Sequence, residues 1–108
     1  MSNKESLPKH YAKFKKNEPE LFAAWEAIGK AVRAKGPLDP KTGHLIQLAA
    51  SAALRSEGAV HSHVRRALEA GATPEEVRQC ILLISGTAGF PTMMAALSWI
   101  DDVLGQKP

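Results

Sequence analysis

Cysteine is nearly absent from this chain of 108 residues, which contains only Cys80. A single cysteine excludes an internal disulfide and a Cys-x-x-Cys redox pair, so we expect a protein of the reducing cytosol. Apolar residues surround Cys80 in a segment with helical periodicity. That setting favours a small buried hydrophobic side chain over a reactive thiol.

Long apolar runs are also missing. No segment is long enough to span a bilayer, and the amino terminus lacks the apolar core of a signal peptide. The formal net charge is +3, but the basic residues form neither a broad stripe nor a nucleic-acid-binding motif. We therefore expect neither a membrane nor a nucleic acid as a partner.

Aromatic residues make up only 6% of the chain, whereas apolar residues in total make up 44%. Alanine and aliphatic side chains must therefore fill the core, which suits close packing of helices better than strands. The length fits a single domain over residues 1–108, with residues 1–6 expected to be flexible. These features predict an all-α protein.

Start and stop signals divide the chain into helices. Asn17-Glu18-Pro19 predicts a helix to about Lys35, and Asp39-Pro40 predicts the start of the next one. A corner is expected at Ser56–Gly58, Gly71 is a candidate left-handed helix end, and Thr73–Glu76 reads as a capping box. The first of these helices has an apolar stripe at helical spacing: Leu21, Trp25, Ile28 and Val32.

The carboxyl-terminal region is unusually apolar. After a break expected at Gly86–Pro91, a last helix from Pro91 to about Leu104 is apolar over much of its surface. One core face does not need that much apolar surface, so the pattern predicts a subunit interface.

The histidines are the side chains best suited to chemistry near neutral pH. His63 shares a helical stripe with Val60 and Val64, so it is either a hydrogen-bonded core residue or a general acid and base. His44 can approach His63 from the preceding helix, or it can lie on that helix's surface. We take both as candidate catalytic residues.

His61 faces another way, because two residues on a helix differ by roughly 200° of rotation. Its spacing of four from Glu57 fits either a surface ion pair or part of a site. A metal site drawn from His44, Glu57, His61 and His63 is conceivable. No zinc-type spacing supports it, so we predict neither a metal nor a cofactor.

Three stretches together carry a family resemblance: Gly36–Thr42, His63–Val77 and Gly89-Phe90-Pro91. With the helix that begins near His44, they resemble the carboxymuconolactone decarboxylase family, which includes the AhpD-like alkylhydroperoxidases. The resemblance implies an AhpD-like orthogonal domain of about five to six helices that assembles into homotrimers or homohexamers.

The peroxidase branch of that family carries Cys-x-x-Cys-x-x-x-His and a glutamate one helix earlier. The resemblance projects the histidine onto His63, the two cysteines onto Ser56 and Ala59, and the glutamate onto His44. A dithiol cycle needs a nucleophilic thiol and a resolving thiol, so dithiol peroxidase activity is not expected. The decarboxylase branch, which acts on a lactone carboxylic acid, lacks the cysteine pair and fits better.

Three functions follow as hypotheses. The first is a cofactor-free, lyase-type acid–base enzyme acting on a small carboxylated or lactone-type substrate. The second is a non-catalytic oligomer that binds a small molecule or a partner, and the third is a hydroperoxide reductase that uses Cys80. For the enzyme, the candidate catalytic residues are His63, His44 and His61, and the candidate substrate-binding residues are Arg65, Glu57 and Ser56.

Overall fold

The computed structural model describes residues 9–105, and every regular element in that range is a helix. The all-α prediction is therefore confirmed, while residues 1–6 lie outside the described range. The chain divides into two compact units, Met1–Pro37 and Leu38–Pro108. The helices are α1 (Lys9–Asn17), α2 (Pro19–Arg33), α3 (Pro40–Ala53), α4 (Glu57–Glu69), α5 (Pro74–Leu83), the single turn α6 (Ser85–Ala88) and α7 (Phe90–Leu104).

The first unit consists of α1 and α2 joined through aromatic side chains. Phe22 on α2 packs edge-on against Tyr11 at a centroid distance of 5.2 Å and lies 6.2 Å from the ring of Phe14. The Lys15 ammonium lies 5.3 Å from the centroid of the same ring. The Tyr11 hydroxyl also donates a hydrogen bond to Glu26. Phe22 is thus the anchor between these two helices.

The apolar stripe predicted on α2 forms one helical face, but it is exposed. Between 52% and 70% of each of its side chains is accessible: Leu21, Trp25, Ile28 and Val32. The α2 side chains that contact α1 include Phe22 and Glu26, and both lie outside the stripe. The helix is also shorter than expected. It ends at Arg33 rather than near Lys35, and its N-cap is Glu18, because Asn17 is the last residue of α1.

The second unit contains the buried core. α3 packs against α4, α5 and α7, and α4 also packs against α7. The largest fully buried side chains come from all four of these helices, and each contributes roughly 1.5–3 kcal/mol by leaving water: Leu48, Val60, Val64, Val77, Ile81 and Ile100. Ala52, Ala67 and Ala96 are fully buried as well, which allows the helices to approach closely.

The apolar surface of α7 is used largely within this unit. The helix contacts α3, α4, α5 and α6, so more than one of its sides is covered. Met93, Ala96 and Ile100 are buried, and Leu97 and Trp99 pack on the core, whereas Met94 remains 47% exposed. The predicted subunit interface concerns other copies of the chain and stays a prediction.

The local signals at the helix starts mostly act as expected. Asp39 accepts a hydrogen bond from the Thr42 amide at 2.8 Å, which caps α3. The capping box at α5 is complete: the Thr73 hydroxyl accepts from the Glu76 amide at 3.0 Å, and the Glu76 carboxylate accepts from the Thr73 amide at 2.9 Å. The expected break at Gly86–Pro91 is shorter than predicted, because α6 occupies most of it and α7 begins at Phe90.

The corner before α4 differs from the prediction. It lies at Leu54–Ser56, and Glu57 and Gly58 already belong to α4. Arg55 has the left-handed conformation (φ 57°) that glycine usually supplies at a helix end. The Ser56 amide donates to the Ser51 carbonyl at 2.9 Å, and the Arg55 amide donates to the Ala52 carbonyl at 2.9 Å. These two bonds form a Schellman motif, which closes α3 earlier than the glycine in the sequence suggested.

The same motif ends α4, where Gly71 has a φ of 104°. The Ala72 amide donates to the Ala67 carbonyl at 2.9 Å and the Gly71 amide to the Leu68 carbonyl at 3.0 Å. The left-handed helix end predicted at Gly71 is therefore present. Within residues 9–105, no helix has both the length and the apolar composition that crossing a membrane requires.

Candidate functional site

His44 and His63 are brought together by the packing of α3 against α4. The centroids of the two imidazole rings lie 5.8 Å apart, and the ring planes are inclined by 35°. His44 is buried, with 9% of its surface exposed, whereas His63 is half-buried. The two histidines form one pair across the helix interface, which is the first of the two positions that the sequence left open for His44.

The surroundings of this pair are largely apolar. On α4, His63 is one turn from the fully buried Val60 and Ala67, and on α3 His44 is one turn before the fully buried Leu48. Ser51, the polar residue buried next along α3, donates its hydroxyl hydrogen to the Gln47 carbonyl at 2.7 Å. Two titratable rings side by side in such surroundings can pass a proton between protein and ligand, the usual role of histidine in catalysis.

His61 lies on another side of α4 and belongs to a second cluster. Its Nε2 atom is 3.0 Å from Asp102 Oδ2 on α7 and 3.8 Å from Glu57 Oε2. The His61 side chain is 25% exposed, and the two carboxylates are 55% and 57% exposed. The pairing of Glu57 with His61 follows from their spacing of four. Asp102 was not identified from the sequence, because it is 41 residues from His61 and no motif links the two.

Arg65 and Ser56 do not join the His44–His63 pair by any described contact. Arg65 follows His63 by two positions, so it points roughly 200° away and lies one turn after His61. Its Nη2 atom is buried and has no hydrogen-bond partner among residues 9–105. Ser56 is exposed at the corner as the N-cap of α4, without a side-chain capping bond. Both roles in substrate binding stay predictions.

Cys80 lies on α5, which packs against α3. Its thiol is half-buried and donates a hydrogen bond to the Leu45 carbonyl at 3.1 Å. Burial raises the pKa of the Cys80 thiol, so the protonated form predominates near neutral pH. Cys80 also lines an open groove of about 350 Å³ between α3 and α5, together with Leu45, Ile46, Leu83 and Ile84.

The rim of this groove is polar. Glu76 and Thr42 line it, and the Lys41 ammonium lies 3.1 Å from Glu76 Oε2. The hydrogen bond from the Thr73 amide, followed by the bond from Lys41, lowers the pKa of the Glu76 carboxyl. The groove therefore combines an apolar floor with an ion pair at one edge.

The sequence and the fold of this chain both match known proteins. The sequence model of the carboxymuconolactone decarboxylase family matches residues 19–102, which span α2 to the last turn of α7. The chain belongs to the carboxymuconolactone decarboxylase family. The family predicted from the sequence is thereby confirmed, and the cysteine pair of its peroxidase branch is missing from this member, which has Cys80 alone.

Individual relatives support the assignment. An uncharacterized protein of Methanocaldococcus jannaschii is 34% identical over 93 residues, which cover 86% of this chain and 87% of the relative. The crystal structure of a family member from Legionella pneumophila superimposes with a TM-score of 0.79 at 27% identity, covering 94% of this chain and 90% of the other.

A more distant family member, from Thermotoga maritima, shares the fold with a TM-score of 0.66 at 22% identity. That likeness covers 90% of this chain and 92% of the other. The helical arrangement of the family is therefore retained across nearly the full length of these proteins.

Proposed function

We propose that this family member is a cofactor-free, lyase-type enzyme that acts on a small carboxylated or lactone-type substrate, with His63 as its acid and base. The observation that carries the proposal is the His44–His63 pair, with ring centroids 5.8 Å apart at the interface of α3 and α4. His44 is the more buried of the two rings, so we assign substrate contact to the half-buried His63 and support of its protonation to His44.

The reaction that fits this site is the loss of carbon dioxide from an unsaturated lactone carboxylate. The bond between carbon and the carboxylate breaks, and its electron pair moves into the adjacent unsaturated lactone. One proton then adds to carbon, so that the overall change consumes one proton and releases one carbon dioxide. The His63 imidazolium donates that proton and recovers it from water, which requires neither a metal nor a redox cofactor.

The test is a comparison of two histidines on the same helix. A panel of unsaturated lactone carboxylic acids is screened for carbon dioxide release by the wild type, the His63→Gln variant and the His61→Gln variant. Loss of a general acid and base lowers the rate by about 10²–10⁴-fold, so that fall is expected for His63→Gln. His61, the third candidate from the sequence, lies on another side of α4, so we leave it out of the proposed mechanism. His61→Gln should change the rate less than about two-fold, since substitutions away from a site have small effects.

A His63→Gln variant that turns over the best substrate at the wild-type rate would remove His63 from the mechanism. A wild type that turns over no member of the panel, but whose melting temperature one of them raises, favours the second hypothesis of a non-catalytic binding protein. The open groove between α3 and α5, with its apolar floor, supports that alternative.

The hydroperoxide reductase is the weakest of the three proposals. Its nucleophile would have to be Cys80, whose raised pKa disfavours the reactive thiolate and which has no second cysteine to resolve an oxidised sulfur. Hydroperoxide consumption that Cys80→Ala abolishes would revive it.

The proposed assembly is a homotrimer or homohexamer. The exposed apolar stripe on α2 supports association, because contiguous apolar surface of this kind is often covered by a partner. Light scattering coupled to size-exclusion chromatography measures the mass directly, and a monomer at micromolar concentration would refute the proposal.

A further inference from the structure

Glu57, His61 and Asp102 meet on a side of α4 that the proposed reaction does not use; we call them the α4–α7 cluster. Glu57 is the first residue of α4, His61 follows one turn later, and Asp102 is in the last turn of α7. One ligand atom from each residue lies within 4.8 Å of the others. We propose that the α4–α7 cluster is a binding site for one divalent transition-metal ion, of which Zn²⁺ is the representative.

The spacing of the three donor atoms suits a single ion. Zinc binds histidine nitrogen and carboxylate oxygen at about 2.0–2.2 Å, which puts neighbouring donors of one ion roughly 3–3.5 Å apart. His61 Nε2 and Asp102 Oδ2 are already 3.0 Å apart, and Glu57 Oε2 is 3.8 Å from the same nitrogen. The Glu57 side chain is 55% exposed, and its one ion pair among residues 9–105 is with His61, so a small rotation can bring its oxygen into position.

The chemistry of the donors selects the class of metal. Two carboxylates and one imidazole supply two negative charges and one neutral nitrogen, which balance a divalent cation. Imidazole is a ligand preferred by zinc, copper, iron and nickel, whereas magnesium and calcium prefer oxygen ligands alone. The mixed set therefore favours a transition metal over magnesium. Three protein ligands leave further coordination positions to water or to a ligand.

The charged side chains near the cluster do not neutralise its two carboxylates. Asp101, the acidic residue next to Asp102, is engaged by Arg78 on α5, with Nη2 and Oδ1 3.4 Å apart. Arg65 lies one turn after His61 and adds one positive charge on that side of α4, against the two carboxylates of the cluster. The remaining local charge is negative, which attracts a cation.

The α4–α7 cluster is separate from the His44–His63 pair and does not depend on the proposed function. His61 and His63 differ by roughly 200° around α4, so one ion cannot use both rings on a regular helix. A metal at the cluster ties the first turn of α4 to the last turn of α7. Its binding should therefore raise the stability of the folded chain.

The experiment uses the full chain without a histidine tag, stripped of metal with a chelator. Zinc binding is measured by titration calorimetry, and cobalt binding by its visible absorption, whose intensity reports coordination by the protein. The site variants are His61→Gln, Asp102→Asn and Glu57→Gln. The matched controls are His10→Gln and Glu75→Gln, which remove the same functional groups from exposed positions on α1 and α5. Circular dichroism checks the fold of every variant.

We expect one zinc per chain and no comparable binding of magnesium. His61→Gln should weaken zinc more than about 100-fold, because loss of even a supporting second-shell residue costs 10–100-fold. Asp102→Asn and Glu57→Gln should weaken it about 10-fold or more, while both controls and His63→Gln leave it unchanged. Zinc bound equally well by His61→Gln, or lost in His63→Gln, would overturn the proposal. A wild type that binds no zinc would reduce the cluster to an ion pair.

Discussion

His61 and His63 are two residues apart on one helix and have opposite surroundings. His63 shares its stripe of α4 with fully buried valines and meets the buried His44 of α3. His61 stands between two exposed carboxylates, Glu57 from its own helix and Asp102 from α7. Histidine therefore lies in apolar surroundings on one side of α4 and among solvent-exposed carboxylates on the other.

The difference shows how helical rotation separates chemical roles. On the side of α4 that faces α3, the His63 imidazole lies beside the His44 ring, and we propose that this pair transfers a proton. On the opposite side, the His61 imidazole forms an ion pair with the carboxylates of Glu57 and Asp102 when it is protonated. The neutral ring can instead bind a cation together with them. The buried side also contributes most of the stability, because fully buried side chains there remove apolar surface from water.

The comparison of buried and exposed surroundings would fail if truncating a buried side chain and truncating an exposed one cost the same stability. Leu48 is fully buried on α3, and Leu54, the C-cap that follows the same helix, is 80% exposed. Leu48→Ala should lower the free energy of unfolding by about 3 kcal/mol, since it removes buried methyl groups and leaves a cavity. Leu54→Ala should change it by less than about 0.5 kcal/mol. Urea unfolding measures both, and equal losses would refute the assignment of the core.

The corner that orients α4 offers a sharper test. Arg55 has a left-handed backbone conformation and donates a hydrogen bond from Nη1 to the buried Thr92 hydroxyl at 2.9 Å. Arg55→Ala loses this bond and keeps the strain, whereas Arg55→Gly loses the bond and relieves the strain. The glycine variant should therefore be the more stable of the two by about 1 kcal/mol. Equal stabilities would mean that the corner changes its conformation when Arg55 is replaced.

Gly71 is the matched position at the other end of α4. Its φ of 104° is one that side chains rarely adopt, while the space around its Cβ position is open. Gly71→Ala should therefore lower the free energy of unfolding through backbone strain alone. It is the opposite substitution to Arg55→Gly and serves as its control.

The smallest expected effect concerns an exposed contact that depends on pH. Hydrogen bonds from the Thr73 amide and from Lys41 lower the pKa of the Glu76 carboxyl in the folded chain. A carboxyl with a lowered folded pKa binds protons more readily when unfolded, so its contribution is complete above the unfolded pKa. The contribution is lost as the pH falls from that value through the lower folded pKa. Glu76→Gln should flatten the acid side of a plot of melting temperature against pH, and an unchanged acid slope would contradict this.

Much of the local architecture could be predicted because its signals act over a few residues. Asp39 caps α3, Thr73 and Glu76 form the capping box, and Gly71 ends α4, each as its sequence context indicates. The corner at Leu54–Ser56 could not be predicted in the same way. Glycine is the usual signal for a left-handed helix end, so the sequence placed the corner at Ser56–Gly58, two residues too late. A bond to Thr92, 37 residues away, helps hold Arg55 in place.

The candidate site, too, could be predicted only where its features depend on residues within one or two helical turns. The inward direction of His63 follows from the spacing of the valines around it, and the pairing of Glu57 with His61 follows from one helical turn. Ser56, Arg65 and the exposed stripe of α2 show the limit of such periodicity: it assigns residues to a face but does not say what covers that face.

The sequence by itself determined the helical class, the starts of α3 and α5, the end of α4, the family, and the opposite directions of His61 and His63. These depend on backbone geometry within one or two turns, which local residue types control. Only the tertiary structure decided that His44 meets His63 and that Asp102 meets His61. Each of those pairs joins two helices, and the meeting point depends on how far one helix slides and turns against the other as their buried side chains pack.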